Sequence, residues 1–135
     1  MNCEERARDH AREINDIWHG LRYYCPACGR QVAVDPDSYG EIHHCPDCED
    51  EELEEYDLFA WLGDSLGISK WIHTDRHGPV SDVWVCMGWG GPNVYLDTEN
   101  EKVRVYWGCD YAEAYVERGA CEEIVRLAQE DWDAQ

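Results

Sequence analysis

Two matched cysteine pairs, Cys25-Pro-Ala-Cys28 and Cys45-Pro-Asp-Cys48, are separated by sixteen residues. Two thiolates with two residues between them chelate one metal from a tight turn, and a second such turn completes a tetrahedral four-sulfur shell. The separation falls in the window of about 15–20 residues read as a zinc site. Pro follows the first Cys of each pair, and Gly29 follows the second Cys of the first pair. Pro sets φ on the way into such a turn, and Gly admits positive φ on the way out. Cys25, Cys28, Cys45 and Cys48 are therefore the expected ligands of one structural Zn2+, because four protein ligands leave no open position for water or substrate. This feature constrains the fold most, since a zinc ribbon is held by its metal rather than by a core of its own.

The alternative use of these cysteines is two disulfides, which belong to an oxidising compartment. The chain begins Met1-Asn-Cys-Glu-Glu-Arg, charged from the outset, which predicts no secretory signal. No apolar run approaches the ~20 residues of a membrane helix. The expected setting is a reducing cytoplasm, where paired cysteines point to metal. Cys3, Cys86, Cys109 and Cys121 lack chelate spacing and read as small buried hydrophobes. With 135 residues, the chain is expected to form a single domain over 1–135, with the ribbon as an insert at 23–48.

Charge is the second signal. Thirty acidic side chains face eleven basic ones, for a net charge of −19. Loading the site adds four thiolates and one dication, which brings the net charge to about −21. The acid is unevenly spread: residues 1–24 carry −1, residues 25–48 carry −3, and residues 49–135 carry −15. The densest run is Glu49, Asp50, Glu51, Glu52, Glu54, Glu55 and Asp57. Nucleic acid is excluded as a direct ligand on electrostatic grounds, and only Arg30 is basic within the ribbon. The expected partner is instead a basic, nucleic-acid-binding protein surface. It would be met by the run 49–57 and by Glu122, Glu123, Glu130 and Asp131 near the C-terminus.

Periodicity predicts an α+β fold. Residues 3–20 read as an amphipathic helix capped by Asn2, with Glu5 completing a capping-box pattern and Gly20 at the end. Its inward stripe is Ile14, Ile17, Trp18 and Leu21. In the ribbon, strands are expected at 30–34 and 41–44, with turn residues between them. His43 and His44 read as structural, since four cysteines already fill the shell. Residues 50–63 read as a second helix with a stripe of Leu53, Tyr56, Phe59, Ala60 and Leu62, which would place the acidic run at the positive end of the helix dipole. Residues 71–116 alternate as antiparallel strands, with Gly88-Trp-Gly-Gly-Pro92 as a connection and Thr98–Glu101 as a hairpin turn. Residues 120–132 close the chain as a helix, with Ile124, Leu127, Ala128 and Trp132 inward. Seven Trp and eight Tyr against one Phe predict a core built largely from aromatics, with Trp89 exposed in its glycine loop.

No nucleophile elbow, Walker loop, dinucleotide fingerprint or HExxH helix occurs, so no catalytic residues are expected and the chain reads as non-enzymatic. The segments Gly90-Gly-Pro-Asn-Val-Tyr-Leu-Asp-Thr98, Val105-Tyr-Trp-Gly108 and Asp110-Tyr-Ala-Glu113 resemble a module of small bacteriophage and mobile-element proteins. In its size, acidity and lack of enzyme motifs, the chain also resembles the anti-CRISPR inhibitors of type II systems. That resemblance implies a Cas9 partner in a bacterial host cell, with carboxylates standing where DNA phosphates would lie. It is one of type, so no inhibitory residue is carried over. Two further readings are a zinc-ribbon adaptor in a transcription or other cellular complex, and a halophile protein whose acidity serves solvation.

Overall fold

Asn2 sits in extended backbone with its side-chain oxygen accepting from the Glu5 N–H at 2.8 Å, and the first helix, α1 (Cys3–Trp18), starts from that cap. The computed structural model describes residues 2–38, 43–48, 51–65, 67–73 and 80–133, except for the side chains of 38, 69–73, 80, 81 and 132. α1 buries Cys3, Ala7, Ala11, Ile14 and Ile17, a stripe at helical spacing whose small members allow close packing. The helix stops at a left-handed Gly20 (φ 75°). There the Gly20 N–H donates to the Ile17 carbonyl and the Leu21 N–H to that of Asp16. Trp18, expected inward, is 40% exposed and lies against Gly119.

The ribbon follows. β1 (Arg22–Tyr24) pairs antiparallel with β2 (Gln31–Ala33) across the first cysteine turn, and Pro36–Ser38 form a 3-10 turn. After the second cysteine turn the chain returns as β3 (Glu54–Glu55), which pairs with the other edge of β1. The order is thus β2-β1-β3. Of the expected strand at 41–44, residues 41 and 42 lie outside the described residues, and His44 bridges Glu52.

The second helix, α2, spans only Leu58–Asp64. This corrects the expected helix over 50–63, and with it the placing of the acidic run in a helical first turn. Glu54 and Glu55 are committed to β1 through Tyr24 and Tyr23, and the second cysteine turn needs Glu51 and Glu52 as its returning arm. Asp57, in extended backbone, then caps the helix by accepting from the Ala60 N–H at 2.9 Å. Leu58 and Trp61 are the buried helix positions, while Phe59 is 70% exposed.

A five-stranded antiparallel meander follows: β4 (Gly67–His73), β5 (Val80–Gly88), β6 (Asn93–Asp97), β7 (Lys102–Trp107) and β8 (Asp110–Tyr115), hydrogen-bonded in that order. Gly88–Pro92 connects β5 to β6 as expected, with Trp89 exposed. The last helix, α3 (Arg118–Asp133), packs on β5 and α2, while α1 covers β7 and β8. Register places Val83, Val85, Val94, Leu96, Val103, Val105, Ala112 and Ala114 on the face beneath the helices. The core is therefore mainly aliphatic, with Tyr56 and Trp61 as its buried aromatics, and the expectation of a core built largely from aromatics is overturned for the described residues. Flat β-branched layers pack closely under helices, whereas Tyr needs a partner or water for its hydroxyl. Four aromatic residues line the opposite face of the sheet, where Trp84, Tyr95, Tyr106 and Tyr111 run across four strands at 4.9–6.4 Å between neighbouring rings.

Candidate metal centre and acidic surface

Each cysteine pair turns within its own hairpin. In the first, the Cys25 N–H donates to the Arg30 carbonyl at 2.9 Å and the Gly29 N–H to the Cys25 carbonyl at 2.8 Å. Gly29 has φ 78°, and a Cβ there would meet no atom within 4 Å. Conformation, not space, therefore calls for glycine at this position. In the second hairpin the Cys45 N–H donates to the Glu51 carbonyl and the Leu53 N–H to the His43 carbonyl. Arg30 then ties the two turns together through an ion pair to Asp47 at 2.7 Å.

The four sulfurs converge. Those of Cys25, Cys28, Cys45 and Cys48 all lie within 4.8 Å of one another, and those of Cys28 and Cys45 are 3.7 Å apart. A tetrahedral shell with metal–sulfur bonds of about 2.3 Å has sulfurs about 3.8 Å apart, so the cluster has the size of a four-thiolate metal site. Cys25 and Cys45 are buried, Cys48 is half-buried and Cys28 is exposed. Burial opposes ionisation of Cys45, but backbone N–H groups of Asp47 and Cys48 outweigh it and bring the thiol down to about 7. The neighbouring Cys28 sulfur, with burial, pushes Cys48 up to about 12. A cation at the centre would let four such sulfurs ionise together. Among the described residues, the ribbon's own buried cluster is Cys25, Cys45 and Leu53, with Tyr23, Val32 and Cys48 packed against it, a small apolar surface for three short strands. His43 packs its ring against Tyr23 at 5.1 Å, and neither it nor His44 belongs to the sulfur cluster.

The acidic residues singled out from sequence fall into separate places. Glu49 and Asp50 lie outside the described residues. Glu51 and Glu52 are on the arm returning from the second cysteine turn. Glu54 accepts from the Tyr24 hydroxyl at 2.6 Å. Glu55 and Asp57 share a shallow cleft with Glu123, Arg126, Phe59 and Leu127. Glu130 and Asp131 line a larger groove of about 1020 Å³ between the ribbon, α2 and α3. Phe59 and Leu127 belong to both cavities and form the ridge between them. Glu122 stands apart, with Asp82, Glu99, Glu101 and Arg118 around a third cleft of about 280 Å³. Arg126 pairs with Glu123 and Glu130, so part of the α3 charge is already compensated.

Sequence reasoning missed Asp64, which lines the large groove and accepts from the buried Tyr56 hydroxyl at 2.7 Å. It also passed over the polar network on the open sheet face. There Arg104 donates to the fully buried Asp97 (2.9 Å) and to Glu113 (3.1 Å), and Lys102 pairs with Glu113 (2.7 Å). Alternating charge and aromatic residues in Lys102-Val-Arg-Val-Tyr and Asp110-Tyr-Ala-Glu was the available signal.

The chain matches no protein-family model, and no curated protein or solved structure shows significant similarity to it. Among the described residues, no helix is long and apolar enough to cross a membrane.

Proposed function

We propose that this chain is a zinc-ribbon protein that works by binding, presenting an acidic surface to a basic protein surface of the kind that otherwise holds nucleic acid. The observation that carries this reading is the gathering of Glu55, Asp57, Asp64, Glu123, Glu130 and Asp131 in the two cavities flanking the exposed Phe59. Carboxylates facing solvent around one apolar side chain supply both long-range attraction and a short-range anchor. The net charge of −19 reinforces the attraction. The metal is read as zinc because a tetrahedral shell of four thiolates suits it and needs no redox change. With the shell closed by sulfur, the metal's role is read as structural rather than catalytic, and the chain is read as a binding protein.

Cas9 is the first partner to test, on the resemblance in size, charge and absent enzyme motifs. Purified protein is titrated into guide-loaded Cas9 before target DNA is added. Binding that weakens steeply with salt and excludes target DNA supports the reading. Failure to bind several type II effectors at low salt removes Cas9. The adaptor reading has its own observation, the row of Trp84, Tyr95, Tyr106 and Tyr111 across the sheet, of which Tyr106 and Tyr111 are exposed. It gains ground if a partner is held through that face and is insensitive to salt.

A further inference from the structure

We infer that the groove between the ribbon and the helices is the docking site for one chain segment of the partner: an amphipathic, lysine- or arginine-rich helix. This deepens the reading above and rests on it. The groove has an apolar floor from Leu62, Leu127 and the flank of Phe59, and carboxylates at Asp64, Glu130 and Asp131. Phe59 is 70% exposed although it sits on a helix whose neighbours Leu58 and Trp61 are buried. An apolar ring left in water beside the core is what a partner's apolar stripe covers on binding.

Charge complementarity selects the occupant. Within the groove's described lining, Asp64, Glu130 and Asp131 are the charged side chains, and no lysine or arginine is among them. Among the described residues, Asp64 is engaged by a neutral hydroxyl, that of Tyr56. Arg126 already pairs with Glu130 from outside the lining, so an acidic or neutral segment would bury Asp64 and Asp131 without a counter-charge, whereas a basic one supplies it along the rim. The volume, about 1020 Å³, and the open shape fit a few turns of helix laid along the groove rather than a small molecule enclosed in it. One wall belongs to the ribbon through Tyr24, Gly29 and Gln31, so the site is complete only when the ribbon is in place.

The test uses the full-length, metal-loaded protein and a fluorescein-labelled model peptide of about 15 residues with a leucine stripe at helical spacing and lysines elsewhere. The comparison probe is an oligolysine of equal charge without leucines. The wild type is expected to prefer the leucine–lysine peptide about tenfold over oligolysine. Phe59→Ser and Asp131→Lys should each weaken it about tenfold, while Glu99→Lys, in the separate cleft, should change it less than twofold. Both groove side chains are exposed, so the variants keep the fold, as circular dichroism will show. Equal binding of the two probes, or groove variants that bind like wild type, overturns the groove while leaving the acidic-surface reading intact. If neither probe binds at low salt, both fall.

Discussion

At the residue scale, the most consequential polar side chain is Asp97. It is fully buried at the end of β6, accepts from the Asn100 N–H and side-chain amide, and pairs with Arg104 at 2.9 Å. It therefore holds the β6–β7 turn and anchors the cation at the centre of the open sheet face. Removing it leaves Arg104 without its buried counter-charge, so Asp97→Ala should cost about 2–4 kcal/mol in a denaturant titration. Burial alone would raise its carboxyl, but Asn100 and Arg104 win and hold it below its ordinary value. A carboxyl held low stabilises the fold above its unfolded value and loses that contribution as pH falls through the folded one. Stability should therefore drop on acidification below about pH 4, and Asp97→Asn should show a shallower drop. The difference between the two curves isolates Asp97 from the general relief of acidic repulsion. Identical acid limbs would contradict this role.

At the element scale, what was legible in the sequence followed the strength of local chemistry. The ends of α1 were legible because Asn2 and Gly20 are specific cap residues. The sheet was legible because Val83, Val85, Val94, Leu96, Val103 and Val105 alternate with polar and aromatic neighbours. The four sulfurs were legible from spacing alone. The segment 51–57 was misread because apolar spacing there mimics a helix, while a non-local partner, β1, claims Glu54 and Glu55. The groove was not legible at all, since it is built from the ribbon, α2, β4 and α3, which are distant in sequence. Two outcomes follow from the corrected picture. Asp57→Ala removes the α2 cap and should cost about 1 kcal/mol by thermal melting. Lys at Glu51, Glu52, Glu54 and Glu55 should leave α2 intact, because none of them lies in its first turn. Chelation should act on the ribbon selectively: amide exchange should speed up across β1–β3 while β5–β7 stay protected. Uniform protection after complete metal removal would show that the ribbon holds itself.

At the scale of the whole molecule, a helix-covered sheet with a mainly aliphatic core carries a ribbon whose own core is small among the described residues, and together they bear a net charge of −19. Self-repulsion of this size is screened within about 10 Å at 0.1 M salt. The melting temperature should therefore rise modestly from dilute buffer to about 0.2 M salt, with the protein already folded in dilute buffer. Loss of structure in dilute buffer would favour the halophile reading instead. The acidic cavities take one wall from the ribbon, so under the proposed function a metal held by the four cysteines would underlie both architecture and binding. Native mass spectrometry of protein purified without added metal tests that dependence most directly. The account predicts one zinc per chain in the wild type and none in the Cys25→Ser, Cys45→Ser double variant. A wild-type protein that flies metal-free with its ribbon still protected from exchange, or a double variant that keeps a full equivalent of zinc, would contradict it.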